Sequence, residues 1–197
     1  MSAATPIDPS SVLAFWFGRP TDLEYGKDRK AWFAKDEAFD AEVRLFFGAT
    51  IERGLRGELD AWAADGRPAL ARIVVLDQLT RNAFRDTPRA FAGDALALAA
   101  ASRMVGERSD EALPTFMRAF VYRPFEHAEG LAMQDEAVRL FTRLVAEDPA
   151  AGSNLDDAHR HRAVIERFGR FPHRNVILGR QSTAEEIEFL KLPGSRF

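Results

Sequence analysis

An all-α fold is predicted by three features of the sequence. Apolar residues recur at three-to-four spacing along nearly the whole chain, the pattern of helices that each bury one stripe. No run of alternating β-branched residues bounded by turn residues is long enough for a strand. Helix-start signals recur at Asp8-Pro9, Thr87-Pro88 and Thr183-x-x-Glu186. About eight or nine helices joined by short links would form an antiparallel array of helix pairs, either a bundle or a right-handed stack. With no low-complexity linker and no sharp internal repeat, residues 1–197 are expected to make a single domain.

Asp8 as N-cap with Pro9 at the first helical position should open a short helix through Val12, Phe15 and Trp16 that stops near Gly18. A polar loop follows from Arg19 to Asp28. Helices are expected from Lys27 to Ala34, and from Asp36 through Phe39, Val43, Phe46, Phe47 and Ile51 towards Gly54, with a further turn to Trp62 and Ala63. Asp65-Gly66 breaks the pattern. Pro68 to Arg85 reads as one helix, and Thr87-Pro88 as the start of an alanine-rich helix ending near Gly106. Arg123-Pro124 should end or kink one helix and begin the next, because proline disfavours helical geometry in its predecessor. That next helix runs to Glu147, another runs from Ser153 towards Phe171-Pro172, and a capping box at Ser182 or Thr183 opens a last one through Ile187 and Leu190.

With 46% hydrophobic and 29% charged residues in 197, the composition is that of a folded globule rather than a disordered chain. A net charge of −3 gives no general attraction to nucleic acid or anionic lipid, so neither is expected as a partner. Cysteine is absent, which removes thiolate nucleophiles and cysteine-ligated metals. The opening MSAATPIDPS has neither the basic segment nor the apolar run of a secretory signal, and no stretch approaches a membrane span; a cytoplasmic location is expected.

Three segments carry chemistry. In LARIVVLDQLTRNAFR, the first half is apolar on all sides, while Asp77, Gln78, Arg81, Asn82 and Arg85 fall within an arc of about 140° on an ideal helix. Buried polar groups must satisfy one another or face a wet cavity, and both readings stand. In the second segment His127, Leu131, Gln134, Val138 and Phe141 share one stripe, so an imidazole and an amide point where apolar residues point; Glu129 lies on the other side. In the third, His161 joins the inward stripe of Val164, Ile165 and Phe168. Beyond it, Gly169 and Pro172 make a stiff corner presenting Arg170, His173, Arg174 and Asn175. Arginine binds carboxylate or phosphate with two parallel hydrogen bonds, and histidine changes charge near neutral pH. There is no Gly-rich phosphate loop before a lysine, no His-Glu-x-x-His pair and no Gly-x-Ser-x-Gly elbow. The spacing of His127, His161, His173 and Glu129 demands no metal, and neither metal nor cofactor is expected.

Asp77-Gln78 with Arg81-Asn82, Pro88-Arg89-Ala90-Phe91, Pro124-Phe125-Glu126-His127 with Glu129 and Gln134, and Phe168-Gly169-Arg170-Phe171-Pro172-His173-Arg174-Asn175 with Leu178-Gly179-Arg180 resemble the domain of unknown function 924 family over nearly the whole chain. Leu79-Thr80 and Ala128 depart from the family's pattern. The resemblance implies a bacterial-type protein built as a tetratricopeptide-like array of helix pairs; it implies no activity and hands over no catalytic residue.

Two functions are open at this point. One is a pocket for a small anionic ligand or substrate, with Arg81, Arg85, Arg170, Arg174 and Arg180 holding the anion. Asp77, Gln78, Asn82, Glu129, Gln134, His161 and Asn175 would orient it, and His127 or His173 would act as acid or base if there is turnover. The other is a helical module that binds a protein or peptide, against which sixteen phenylalanines and two tyrosines argue mildly, since recognition faces favour tyrosine.

Overall fold

A computed structural model describes residues 7–27, 29, 32, 35–63 and 66–196, and its regular elements are all helical. Helix α1 spans Pro9–Phe17: the Asp8 carboxylate accepts from the Ser11 N–H at 2.8 Å, Pro9 sits at the first position, and Gly18, at φ 82°, ends it. Helix α2, Glu37–Leu55, is capped by Asp36, whose carboxylate accepts from the Ala38 and Phe39 amides. The helix expected from Lys27 to Ala34 lies largely outside the described residues. Within that stretch, the Trp32 indole donates to the Trp16 carbonyl at 2.9 Å.

Helix α3 covers residues 66–83 and is not uniform. It runs as α-helix over Gly66–Ile73, as π-helix over Val74–Leu79, and as α-helix again over Thr80–Ala83. In the wide turn the Val75 carbonyl accepts from the Thr80 N–H, five residues on, and also from the Thr80 hydroxyl at 2.8 Å. The segment is buried on all sides, as its sequence requires: Val74, Val75, Leu76, Asp77, Leu79 and Thr80 have no exposed surface.

Thr87-Pro88 opens only a 3-10 turn, Pro88–Phe91, rather than the long helix expected; helix α4, Asp94–Gly106, starts separately after Gly93. The reason is a close approach. A Cβ on Gly93 would lie 2.1 Å from the Leu76 carbonyl oxygen in the π segment, so the start of α4 is seated directly on the wide turn of α3. That contact places Asp94 beside Asp77 and Arg81.

Helix α5, Thr115–His127, passes through Pro124 instead of ending there. The missing N–H falls in the last turns, where few ladder bonds remain to lose. The true break comes at Ala128 and Gly130, both extended, before helix α6, Leu131–Glu147. His127 and Gln134 are therefore on different helices, and the single stripe expected from His127 to Phe141 does not exist. Gln134 instead reaches back, its amide donating to the Glu126 and Ala128 carbonyls at 2.7 Å each and capping the open end of α5. Helix α7, Gly152–Phe168, ends at Gly169 in the left-handed region (φ 68°), and a 3-10 turn, Pro172–Arg174, forms the corner. Helix α8, Ala184–Phe189, carries the Thr183/Glu186 capping box.

The helices pack as consecutive pairs, α5 on α6 and α6 on α7. One apolar core runs from Val12 in α1 to Ala158 in α7, with Trp16, Phe17 and Phe120 in edge-to-face contact; Val164, Ile165 and Phe171 form a smaller cluster beside it. Among the described residues, no helix is long and apolar enough to cross a membrane.

The seat of Gly93 on Leu76 makes a specific demand. Gly93→Ala forces two backbones apart and is expected to cost ~3 kcal/mol, lowering Tm by roughly 6–12 °C. Gly48→Ala, inside α2 where an added Cβ meets nothing within 4 Å, is expected to raise stability by about 0.5–1 kcal/mol. Thermal unfolding of both variants checks this; equal Tm values would show that the α3–α4 contact is looser than described.

Candidate functional site

The wide turn of α3 and its C-terminal end, the 3-10 turn at 88–91, the end of α5, the middle of α7 and the corner at 172–174 line a cavity of about 650 Å³. Asp77 lies beneath its floor. The carboxylate accepts from His127 Nδ1 at 2.7 Å, from the Gln78 amide at 2.5 Å and from Arg81 at 3.3 Å. Burial pushes the Asp77 carboxyl up, but the His127 imidazole and the Arg81 guanidinium outweigh it and hold it well below the carboxylate range. An ionised carboxylate only accepts, so Nδ1 of His127 carries the proton and Nε2 is the free-electron-pair nitrogen. Burial and the Arg81 charge push the His127 pKa down against the pull of Asp77, so the ring is neutral at pH 7.

A second carboxylate–imidazole pair adjoins the first. Glu126 is fully buried, with Oε1 3.0 Å from His161 Nδ1 and Oε2 accepting from Arg123 at 3.1 Å. Burial opposes ionisation of Glu126, but Arg123 and His161 overcome it and pull its pKa down to about 2. His161 Nδ1 also lies 2.9 Å from the Asp157 carbonyl. Both neighbours of Nδ1 are acceptors, so here too Nδ1 carries the proton. The two rings stand 6.3 Å apart between centroids, and both line the cavity. The adjacency of Glu126 and His127 explains the arrangement: about 100° apart on α5, one side chain reaches α7 and the other reaches α3.

Among the described residues the cavity wall carries seven cationic side chains and two carboxylates, Asp86 and Asp157. Arg81, Arg85, Arg123 and Arg174 are the most enclosed of the cations. The carboxylates that hold them, Asp77, Asp94, Asp40 and Glu126, stand behind the wall rather than in it. Arg174 is 93% buried by its side chain's 7% exposure, lies between the Phe91 and Phe171 rings at 4.7 and 4.5 Å, and donates to the His127 carbonyl at 3.0 Å. Burial and the neighbouring Arg81 lower its pKa to about 10, still charged at pH 7. Burial likewise raises the Asp94 pKa, against the pull of Arg81. His173, on the same wall, is driven down to about 3 by burial and by the Arg174 charge.

Of the residues singled out in the sequence, Gln78, Arg81, Arg85, His127, His161, His173 and Arg174 line this cavity. The others serve its frame. Asn82 grips Asp40 on α2, as does the cavity-lining Arg85, because the π segment turns the end of α3 away from Asp77. Glu129 accepts from the Phe171 N–H at 2.7 Å and pairs with Arg180 at 2.6 Å, fixing the corner. Arg170 and Asn175 bond buried Glu186, not the cavity. Sequence reasoning missed Arg123, Glu126, Asp94 and Phe91. The signal for the first two was present: charged residues in an otherwise apolar segment, FVYRPFEH, must be paired if they are buried. Among the described residues no group of three or more His, Asp or Glu side chains is arranged to hold a metal ion.

The fold and this cavity define an all-helical protein with two carboxylate-oriented histidines on a guanidinium-rich wall. The chain belongs to the family described as "Bacterial protein of unknown function (DUF924)", whose model matches residues 12–194. It is similar to a solved structure of a protein of unknown function, ATU0120, from Agrobacterium tumefaciens, with 37% identity, a TM-score of 0.80, and coverage of 93% of this chain and 96% of that one. No curated protein matches the chain.

Acid should unfold the protein in two stages. His173 is neutral when folded and binds its proton when unfolded, so stability falls as pH drops from about 6.5 towards 3. Glu126 is ionised when folded, so its contribution is complete above about pH 5 and is lost from there down to about 2, amounting to about 3 kcal/mol. Urea unfolding of His173→Gln should show a smaller fall in stability between pH 6.5 and 5 than the native chain, the remainder coming from His127, which burial also keeps neutral in the folded state; a slope from pH 6.5 unchanged by the substitution would contradict the assignment.

Proposed function

We propose that the cavity binds a small anionic ligand, a phosphate or carboxylate compound, within a tetratricopeptide-like array of helix pairs. The observation that carries this reading is the separation of charge across the wall: guanidinium groups face the cavity while the carboxylates that orient them stand behind. Each guanidinium is held in one geometry before a ligand arrives, so a bidentate contact costs little ordering. Because cations and carboxylates nearly balance over the region, attraction is local, through hydrogen bonds at the wall, and distant steering is weak. Trp32, Phe91 and Phe120 supply an aromatic side for the rest of the ligand.

Arg174 is a poor mutational control, since its loss would take the donor from the His127 carbonyl and leave Asp94 with Arg81 as its remaining guanidinium partner. Arg160 is a better one: it lines the cavity, is exposed, and among the described residues its salt bridge is to its near neighbour Asp157 on the same helix. In a thermal-shift series with inorganic phosphate, phosphorylated compounds and carboxylic acids, a ligand at 100 times its Kd adds about 2.7 kcal/mol, a rise of roughly 5–10 °C. Arg160→Gln is expected to leave the ligand-free Tm within a degree or two and to weaken binding by about tenfold or more, the loss of one charged hydrogen bond. A flat response to every anion would refute the reading.

A further inference from the structure

Resting on the anion-binding reading, we propose that His127 Nε2 accepts a hydrogen bond from the ligand, so that the cavity selects anions carrying an O–H beside their charge: hydrogen phosphate, or a carboxylate with a neighbouring hydroxyl. Asp77 is ionised and can only accept, so whatever bonds to it must turn a donor inward. His127 gives it Nδ1–H at 2.7 Å, and the Gln78 amide gives it an N–H at 2.5 Å. Both side chains line the cavity, and each is left with an acceptor, Nε2 of the imidazole and the carbonyl oxygen of the amide. Among the described residues, the hydrogen bond of the His127 ring is made through Nδ1. Burial beside Arg81 keeps that ring neutral at pH 7, so Nε2 accepts and does not donate.

This acceptor sits among donors. Asp77 Oδ1 takes both His127 and Arg81, at 2.7 and 3.3 Å, which sets the imidazole and the guanidinium side by side. Arg81 goes on to Asp94 Oδ1 at 2.7 Å, Arg174 reaches Asp94 Oδ2 at 3.3 Å, and Arg174 also holds the His127 carbonyl at 3.0 Å. Shared carboxylates thus tie two guanidinium groups and one neutral imidazole into a single cluster on the wall. Arg174 Nε–H is buried and meets no acceptor among the described residues, an unfavourable state that a ligand oxygen would relieve. The wall's two carboxylates, Asp86 and Asp157, are paired with Lys35 and Arg160. An anion with every oxygen bare, such as sulfate, satisfies the guanidinium groups but sets a lone pair against Nε2. One O–H in the same molecule fills that place. A site that bonds a ligand hydroxyl discriminates against the analogue lacking it, because its own enclosed polar group is then left unpaired.

The test is titration calorimetry of the full chain with two pairs of probes, in a buffer above the second ionisation of phosphate. Hydrogen phosphate and sulfate then match in charge and shape and differ by one O–H; lactate and propionate match in charge and differ by one hydroxyl. At least one pair is expected to show a Kd about tenfold or more lower for the member with the O–H, the effect of one hydrogen bond made rather than an acceptor left unpaired. A gap for phosphate alone assigns the O–H to the anion itself, and a gap for lactate alone assigns it to a neighbouring hydroxyl. His127→Asn keeps a donor where Nδ1 stands, so the bond to Asp77 survives, and it removes Nε2; the gap should shrink to about threefold or less. A gap unchanged by that substitution overturns the assignment to His127. If the variant does not fold, the two pairs on the native chain decide. Equal binding within both pairs overturns this proposal and leaves the anion site standing; no binding of any of the four probes overturns both.

Discussion

A single buried carboxylate organises this molecule. Asp77 has no exposed surface, yet it is ionised, because His127, Gln78 and Arg81 close around it. A carboxylate stripped of water in this way is tolerable only if its hydrogen-bond capacity is filled. The π turn of α3 is what brings Asp77 to its partners: the extra residue in the turn separates it from Asn82 and Arg85, which go to Asp40 instead. Gly93 then lets α4 begin against that same turn, and Asp94 arrives as the second acceptor for Arg81 and the first for Arg174. Backbone irregularity, close packing and charge placement are one arrangement here, and π turns of this kind occur often at functional sites.

The end of α5 serves two neighbours at once. Glu126 completes the pair with His161 on α7 and His127 completes the pair with Asp77 on α3, so each histidine draws its carboxylate from a different helix. Such crossed pairing works only if the last turn of α5 is rigid, and three devices make it so: the Gln134 amide on its open carbonyls, Arg174 on the His127 carbonyl, and Arg123 on Glu126. Residues that looked like ligand contacts in sequence, Gln134, Asn175 and Arg180 among them, belong to this frame. Their bonds hold the corner and the helix end, and the cavity takes its shape from what they hold.

The helices were legible in the sequence wherever a cap or a stripe announced them: Asp8-Pro9, Asp36, Gly169 and Thr183 each do what their chemistry demands. Three features were not. The π turn leaves no mark, because an apolar run such as IVVL suits any buried helix. Pro124 lies inside a helix because the loss of one bond near its end is small beside the burial of the residues around it. The split at Ala128–Gly130 follows from tertiary contacts of Gln134 that periodicity does not contain. In the same way, seven of the nineteen described residues on the cavity wall were found by their residue types alone, while the partners of Arg123, Glu126 and Asp94 emerged only when helices distant in sequence came together, since a charge's role depends on which partner the fold brings to it.

The account stands on an ionised Asp77 bonded to the Nδ1–H of a neutral His127. Nuclear magnetic resonance on protein labelled with ¹³C and ¹⁵N reads both sites directly. The Asp77 carboxyl carbon should keep the shift of the ionised form throughout the pH range in which the protein stays folded, and at pH 7 the His127 nitrogens should show a protonated Nδ1 and a bare Nε2. An Asp77 carboxyl that titrates near the ordinary value of 3.8, or a His127 ring protonated on Nε2 alone, would contradict it.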